Sequence, residues 1–285
     1  MSGGIVHLSD LHFGSEADLA KIEAVEELVP DLEPRVTAIS GDLTVRARHG
    51  EFMAARGLIR ELERTAPVFV IPGNHDVQWW WRPLIPSDSS AKYRKYSRYF
   101  GPVLAPTLSM PGVLIASALT SHGVAWGSLT SSVRDLAVKG HLPRGEIERV
   151  KARFAQADAQ QLKVLVLHHN VLRGEVSRRM GLARWKQAQR RIVESGAELI
   201  LCGHDHQELA DQLDGKVVVS CTGTLSTRLP GDLPTAFHHL YWDETAIQVE
   251  QYLWDTDVCI FRRSNVYAFA RNHRVDEAKV PAQLG

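Results

Sequence analysis

Five short blocks of this chain each follow an apolar, strand-like run and place a metal-binding side chain at its end. They are Asp10-Leu11-His12, Gly41-Asp42, Gly73-Asn74-His75-Asp76, His168-His169 and Gly203-His204-Asp205-His206. The runs before them are Ile5 to Leu8, Val36 to Ile39, Val68 to Ile71, Val164 to Leu167 and Leu199 to Leu201. Strands that all end in a ligand bring their carboxyl ends to one place, where open α/β sheets hold their chemistry. Histidine, carboxylate and one amide oxygen, with no thiolate among them, suit divalent Mn, Fe or Zn. In an extended segment residues i and i+2 share a side, so Asp10 and His12 are expected to face one site, and His204 and His206 repeat the device. Read singly, Asp10 and Asp42 are as good as helix caps, and Asn74 as a turn residue beside Gly73. Only the set argues for a metal.

In order and wording the blocks (D-x-H, G-D, G-N-H-D, H-H, G-H-x-H) resemble the calcineurin-like metallophosphoesterases from about Ile5 to Thr227, most of all the bacterial cyclic-nucleotide phosphodiesterases. The resemblance implies two divalent metal ions (Mn, Fe or Zn) bridged by Asp42. Asp10, His12 and His206 would complete one site, and Asn74, His168 and His204 the other. Such paired cations sit about 3.5–4 Å apart and leave room for water and phosphate. It implies hydrolysis of small phosphate diesters by a metal-bridging hydroxide. His75, which the pattern does not count as a ligand, would assist the leaving oxygen, with Asp76 holding its ring. His169 is placed either for phosphate contact or for packing, and Arg46 either for a substrate phosphate or for a solvated loop.

Other functions use the same fold. A phosphomonoesterase or a broad organophosphate esterase needs the same core. A nuclease of the superfamily is disfavoured by the balance of 33 Lys plus Arg against 33 Asp plus Glu, which lacks the basic excess of a nucleic-acid binder. A non-catalytic scaffold is disfavoured because every ligand position is filled. The histidine after Asn74 stands where the lipid A pathway diphosphatases carry Arg, and no D-R-G run follows Asp42 as in protein Ser/Thr phosphatases. Both departures argue for a small-molecule phosphate ester as the partner.

A length of 285 residues suits one large domain, expected over 1–254, with a site-covering insertion at 77–112 and an extension at 255–285. No signal-like leader and no long apolar run appears, and Cys202, Cys221 and Cys259 lie in or beside apolar runs. Reduced core thiols in a cytoplasmic protein without a membrane span are expected, with the oligomeric state left open. Apolar runs alternate with helically spaced stretches such as Leu19, Ile22, Val25 and Val29, and the last third reads as strands. The fold class expected is α/β, a four-layer αββα sandwich of two mixed β-sheets flanked by helices, as the resemblance also implies. Within the insertion, Trp79, Trp80 and Trp81 are expected either to stack on the substrate or to pin the loop. Tyr93, Tyr96, Tyr99 and Phe100 recur at helical spacing and read as an amphipathic helix with its rings in the core. Gly223 to Ser226 is expected to shape the pocket floor, and His238 and His239 to be structural.

Overall fold

A computed structural model describes residues 4–77, 92–122 and 139–271. The apolar runs become parallel strands covered on both faces, which is why they carry no alternation. β1 (Ile5–Leu8), β2 (Val36–Ile39) and β3 (Val68–Val70) lie parallel, and β10 (Ala236–Trp242), β11 (Ala246–Asp255) and β12 (Ile260–Ala270) continue beyond β1 in antiparallel fashion. The order is β12-β11-β10-β1-β2-β3. The second sheet holds β4 (Thr107–Met110), β5 (Val113–Ser117), β6 (Leu162–His169), β7 (Leu199–Gly203), β8 (Leu209–Leu213) and β9 (Val217–Cys221), ordered β4-β5-β6-β7-β9-β8. Its edge strands β4 and β8 run antiparallel to a parallel centre.

The inner faces pack on each other through Ile5, Val36, Val164, Leu201, Val218 and Val249, all fully buried or nearly so. Outside the first sheet lie α1 (Leu19–Asp31) and α2 (His49–Leu62), and outside the second α4 (Arg144–Phe154) and α5 (Trp185–Glu194). The expected four-layer sandwich is the fold. The short α3 (Arg94–Phe100) packs against α2, with Tyr93 and Tyr96 buried, so the aromatic stripe is core. No helix among the described residues is long and apolar enough to cross a membrane.

Three details differ from expectation. The chain does not break after residue 254: β12 pairs along most of β11, so the first sheet continues to Ala270. Strand β4 lies within the stretch expected as an insertion at 77–112. Cys259 is exposed, whereas Cys202 and Cys221 are buried. The sequence also reads as a strand near 124–127, and that stretch and the Trp79 to Trp81 run lie outside the described residues.

A chain of polar side chains crosses the apolar layer between the sheets. His7 on β1 bonds Ser40 Oγ through Nε2 (3.0 Å) and Ser220 Oγ through Nδ1 (2.8 Å). Ser220 bonds His238 Nδ1 (2.8 Å), and His238 Nε2 donates to Glu208 (2.7 Å). With neutral imidazoles one direction runs throughout, from the Ser40 hydroxyl to the Glu208 carboxylate, leaving no donor unmatched. Burial and the neighbouring His238 hold the pKa of His7 well below the ordinary imidazole value, which keeps it neutral. The chain ends beside two ligand blocks, since Ser40 precedes Gly41-Asp42 and Glu208 follows His206 by two positions. Removing its middle with Ser220→Ala leaves two buried rings short of a partner. It is expected to cost about 1–3 kcal/mol of stability, read as a lowered urea midpoint, with Ser220→Thr recovering part of the loss.

Candidate metal centre

The pairing between β1 and β2 continues past the strands. Asp10 N–H donates to Gly41 O (3.0 Å), His12 N–H to Asp42 O (3.0 Å) and Phe13 N–H to Leu43 O (2.9 Å), so the D-x-H and G-D loops advance in step. Their backbone is left-handed and not extended as expected: φ is 54° at Asp10, 46° at His12, 52° at Asp42, 76° at His204 and 57° at His206. Aspartate and histidine are enriched among the few non-glycine residues found there. Neither Asp10 nor Asp42 caps a helix, because α1 starts after Asp18 and α2 after Arg48. Gly41, at φ 108°, and Gly73 allow the loops to touch. A Cβ at Gly41 would meet Gly73 N at 2.7 Å, and one at Gly73 would meet Asp42 Oδ1 at 2.1 Å.

All seven expected ligands converge. In one set Asp10 Oδ1 lies 3.3 Å from His206 Nε2 and 3.7 Å from His12 Nε2, and the two imidazole nitrogens are 3.0 Å apart. In the other, Asn74 Oδ1 lies 3.0 Å from His168 Nε2 and 2.9 Å from His204 Nδ1, and those nitrogens are 3.3 Å apart. Asp42 Oδ2 stands between the sets, 3.8 Å from His12 Nε2 and 3.3 Å from His168 Nε2. Donor atoms sharing an ion at about 2.0–2.2 Å must be spaced in this way. Asp10 Oδ1 is buried without a hydrogen-bond partner among the described residues, and a bound cation would satisfy it. Backbone carbonyls hold two of the rings from behind: His168 Nδ1 donates to Ser40 O (2.9 Å) and His206 Nδ1 to Arg228 O (2.7 Å). This turns each Nε2 lone pair inward. The residues fit two divalent ions.

Electrostatics point the same way. Burial alone would raise Asp42, but the charge of His168, with His75 and His12, holds it well below the usual carboxylate range. Burial alone would lower His168, and the Asp42 charge instead lifts it to about 9. Asp10 is likewise held low against its burial, chiefly by His206, and His206 is raised against its own burial, chiefly by Asp10. His204 is pushed down to about 3 by burial and by His168. Without metal, Asp42 therefore keeps His168 protonated at neutral pH, and Asp10 favours the charged form of His206.

Of the remaining expected residues, His75 faces the site. Its ring packs edge-on against His12 at 4.8 Å, its N–H donates to Asp42 Oδ1 (2.8 Å), and its Nδ1 donates to Val45 O (2.8 Å). The expected pairing of Asp76 with that ring is not what orients it. Asp76 is buried and accepts from Gly73 N (2.9 Å), Leu43 N (3.1 Å), Thr44 N (3.0 Å) and Thr44 Oγ1 (2.9 Å), clamping the two loops together. Burial and the Asp42 charge lift Asp76 to about 7 against those donors. His169 is also buried, bonded to Thr120 Oγ1 (2.8 Å) with its ring 4.4 Å from that of His204, and its ring nitrogen lies within 4.8 Å of those of His168 and His204. Thr224 donates to the Asp10 carbonyl (2.6 Å), so the Gly223 to Ser226 stretch supports the D-x-H loop. Arg46 lines the cavity above the centre, a space of about 750 Å³. Lys139, Arg179 and Arg228 share that lining and were not singled out from the sequence, where no block or spacing marks them.

Metal uptake should displace the protons on His168 and His206. His168 is protonated below about 9, so affinity should rise as pH rises toward that value. Calorimetric titration of metal-free protein with Mn²⁺ or Zn²⁺ near neutral pH, in buffers of different ionisation enthalpy, should show release of protons on binding, about two for the pair of ions. Pairing with Asp42 also stabilises the metal-free fold fully below the ordinary His value, and that contribution fades as pH rises through about 9.

Comparison with known proteins bears on this geometry. Residues 4–208 match the family model for calcineurin-like phosphoesterases. No curated protein sequence gives a significant match. Among solved structures the chain is similar to a dimetal phosphatase from Danio rerio, at 12% identity and TM-score 0.65, covering 95% of this chain and 99% of that one. It is also similar to a purple acid phosphatase from yellow lupin (Lupinus luteus) seeds, at 13% identity and TM-score 0.67, covering 96% of this chain and 55% of the lupin protein. Likeness at such identity speaks for the fold alone. With the family model spanning most of its length, the chain belongs to the calcineurin-like phosphoesterase family.

Proposed function

We propose that this protein hydrolyses small phosphate diesters, cyclic nucleotides among the candidates, with two divalent ions bound. The observation that carries the reading is the single Asp42 oxygen between His12 and His168, with His75 beside it on the cavity side. Bound cations would supply water of lowered pKa and neutralise charge developing on the phosphoryl oxygens. The chain's own part is positioning and proton transfer. Val45 O fixes Nδ1–H of His75, so Nε2 is the nitrogen that handles the proton. As a water oxygen bonds to phosphorus, the bond to the leaving oxygen breaks and that oxygen takes a proton from His75 Nε2. The proton given up by the water restores it. A cavity of about 750 Å³ accommodates a substituent on each side of the phosphorus, which a diester requires.

A phosphomonoesterase reading is favoured by one separate observation: the two structural neighbours above are both named as phosphatases. Turnover of bis-p-nitrophenyl phosphate, p-nitrophenyl phosphate, and 2′,3′- and 3′,5′-cyclic nucleotides decides between them. Faster cleavage of the monoester than of every diester would give the site to monoesters.

Asp42→Asn is expected to lose activity by orders of magnitude, because a neutral amide bridges two cations poorly. His75→Ala should keep both metals, measured by elemental analysis, and lose about 10²–10⁴-fold in turnover. The loss should shrink for p-nitrophenolate, a leaving group that scarcely needs a proton. An equal loss for good and poor leaving groups would remove the acid role, and loss of metal would make His75 a ligand.

A further inference from the structure

We infer that the substrate carries a second anionic group, a phosphate or carboxylate separate from the phosphoryl group that reacts; this rests on the phosphoesterase reading above. Among the described residues four cationic side chains, Arg46, Lys139, Arg179 and Arg228, line the cavity over the metal centre. The chain as a whole balances 33 basic against 33 acidic residues, so this is a local excess. Among the described residues the acids of the lining, besides the ligand Asp42, are Glu16 and Asp205. Glu16 lies 3.7 Å from His12 Nδ1 and 3.8 Å from Arg228. Asp205 accepts from Ser177 Oγ (2.6 Å) and Gln207 Nε2 (2.7 Å).

The backbone fixes where each cation starts. Arg46 follows Val45, whose carbonyl holds His75, and its own N–H donates to Glu51 (2.8 Å). The Arg228 carbonyl holds His206 (2.7 Å). The Arg179 carbonyl accepts from Gly174 N (3.1 Å), and its N–H donates to Ser177 Oγ (3.1 Å). Lys139 precedes Gly140, whose N–H donates to Gly181 O (2.8 Å). The cations thus come from three places: the loop of Arg46, the loop of Arg228, and the paired segments that carry Lys139 and Arg179.

The reacting phosphoryl group is served at the floor, where the seven ligands converge. Set against Glu16 and Asp205, the four cations leave a surplus of two positive charges among the described residues, more than a singly charged diester needs. Like charges gathered on a concave wall repel one another and focus their field on an anion entering it. Guanidinium forks match phosphate and carboxylate in particular. The cavity, about 750 Å³, is also far larger than one phosphate and within the range that takes whole small ligands. A cyclic mononucleotide, with one charge, should accordingly be a weaker substrate than a linear diester bearing a further phosphate.

A matched pair tests this: thymidine 5′-(p-nitrophenyl phosphate) and the same ester with a 3′-phosphate, each followed by p-nitrophenolate release from the metal-loaded enzyme. The doubly phosphorylated ester should show kcat/KM at least about tenfold higher, the worth of one charge-assisted hydrogen bond. The gain should lie in KM and shrink as salt shortens the screening length from about 30 to 3 Å. Arg179→Gln and Lys139→Gln should lower kcat/KM for the 3′-phosphorylated ester more than for its partner. Binding gives an arm independent of turnover: thymidine 3′,5′-bisphosphate should bind about tenfold tighter than thymidine 5′-monophosphate by calorimetry. Equal kcat/KM with both esters cleaved overturns the inference and leaves the phosphodiesterase reading standing. If neither ester is cleaved, that reading fails, and equal affinity for the two nucleotides then overturns the inference as well.

Discussion

Two buried carboxylates set the terms for this fold. A carboxylate taken out of water without a partner would protonate or unfold its surroundings. Asp10 and Asp42 stay ionised because His206 and His168 face them at 3.3 Å each. The partners lie on opposite sheets: Asp10 and Asp42 follow β1 and β2, whereas His168 and His206 come from β6 and the loop after β7. Parting the sheets would strand two anions and two imidazoles in an apolar layer, so the same contacts that make the site also fasten the sandwich. The chain from Ser40 through His7, Ser220 and His238 to Glu208 adds a second polar link between the same loops.

Backbone strain belongs to the same arrangement. Five of the seven ligand positions are left-handed, and such residues generally cost about 1–3 kcal/mol unless their surroundings over-determine them. Here they do. Ladder-like bonds lock Asp10 and His12 onto Gly41 and Asp42, Asp76 ties Gly73 to Leu43 and Thr44, and Thr224 holds the Asp10 carbonyl. Each bond fixes the backbone and leaves the ligand side chain free to point inward.

The sequence made the ligand set and the four layers legible because both rest on local patterns. An apolar run followed by Asp10-Leu11-His12 or His204-Asp205-His206 is visible without knowing where the chain goes. What stayed hidden depends on tertiary context. The i, i+2 rule brought Asp10 and His12 to the right place for the wrong reason, since their backbone is not extended. Asp76 adjoins His75 in sequence but turns toward donors on a different loop. β12 escaped because it is an edge strand whose residues are mostly exposed, among them Arg262 and Arg263, so no alternation marks it. Arg179 and Arg228 look like any solvated arginine until the fold sets them around one cavity.

Charge then couples the floor of the site to its walls. Counting ionised ligand side chains, the metal-free floor carries two negative charges on Asp10 and Asp42 and two positive ones on His168 and His206, a net of zero. Two divalent ions in exchange for two protons bring it to −2 + 4, or +2. The walls hold Arg46, Lys139, Arg179 and Arg228 against Glu16 and Asp205, a further 4 − 2, or +2. Filling the floor thus changes the cavity from one that only its walls make attractive to an anion into one attractive from every side. Such coupling is reciprocal, because whatever affinity the metals add for an anionic substrate, the substrate adds for the metals. A neutral protein with this site therefore needs no overall positive charge to gather its substrate; the excess is local and appears in full only when the metal ligands are occupied.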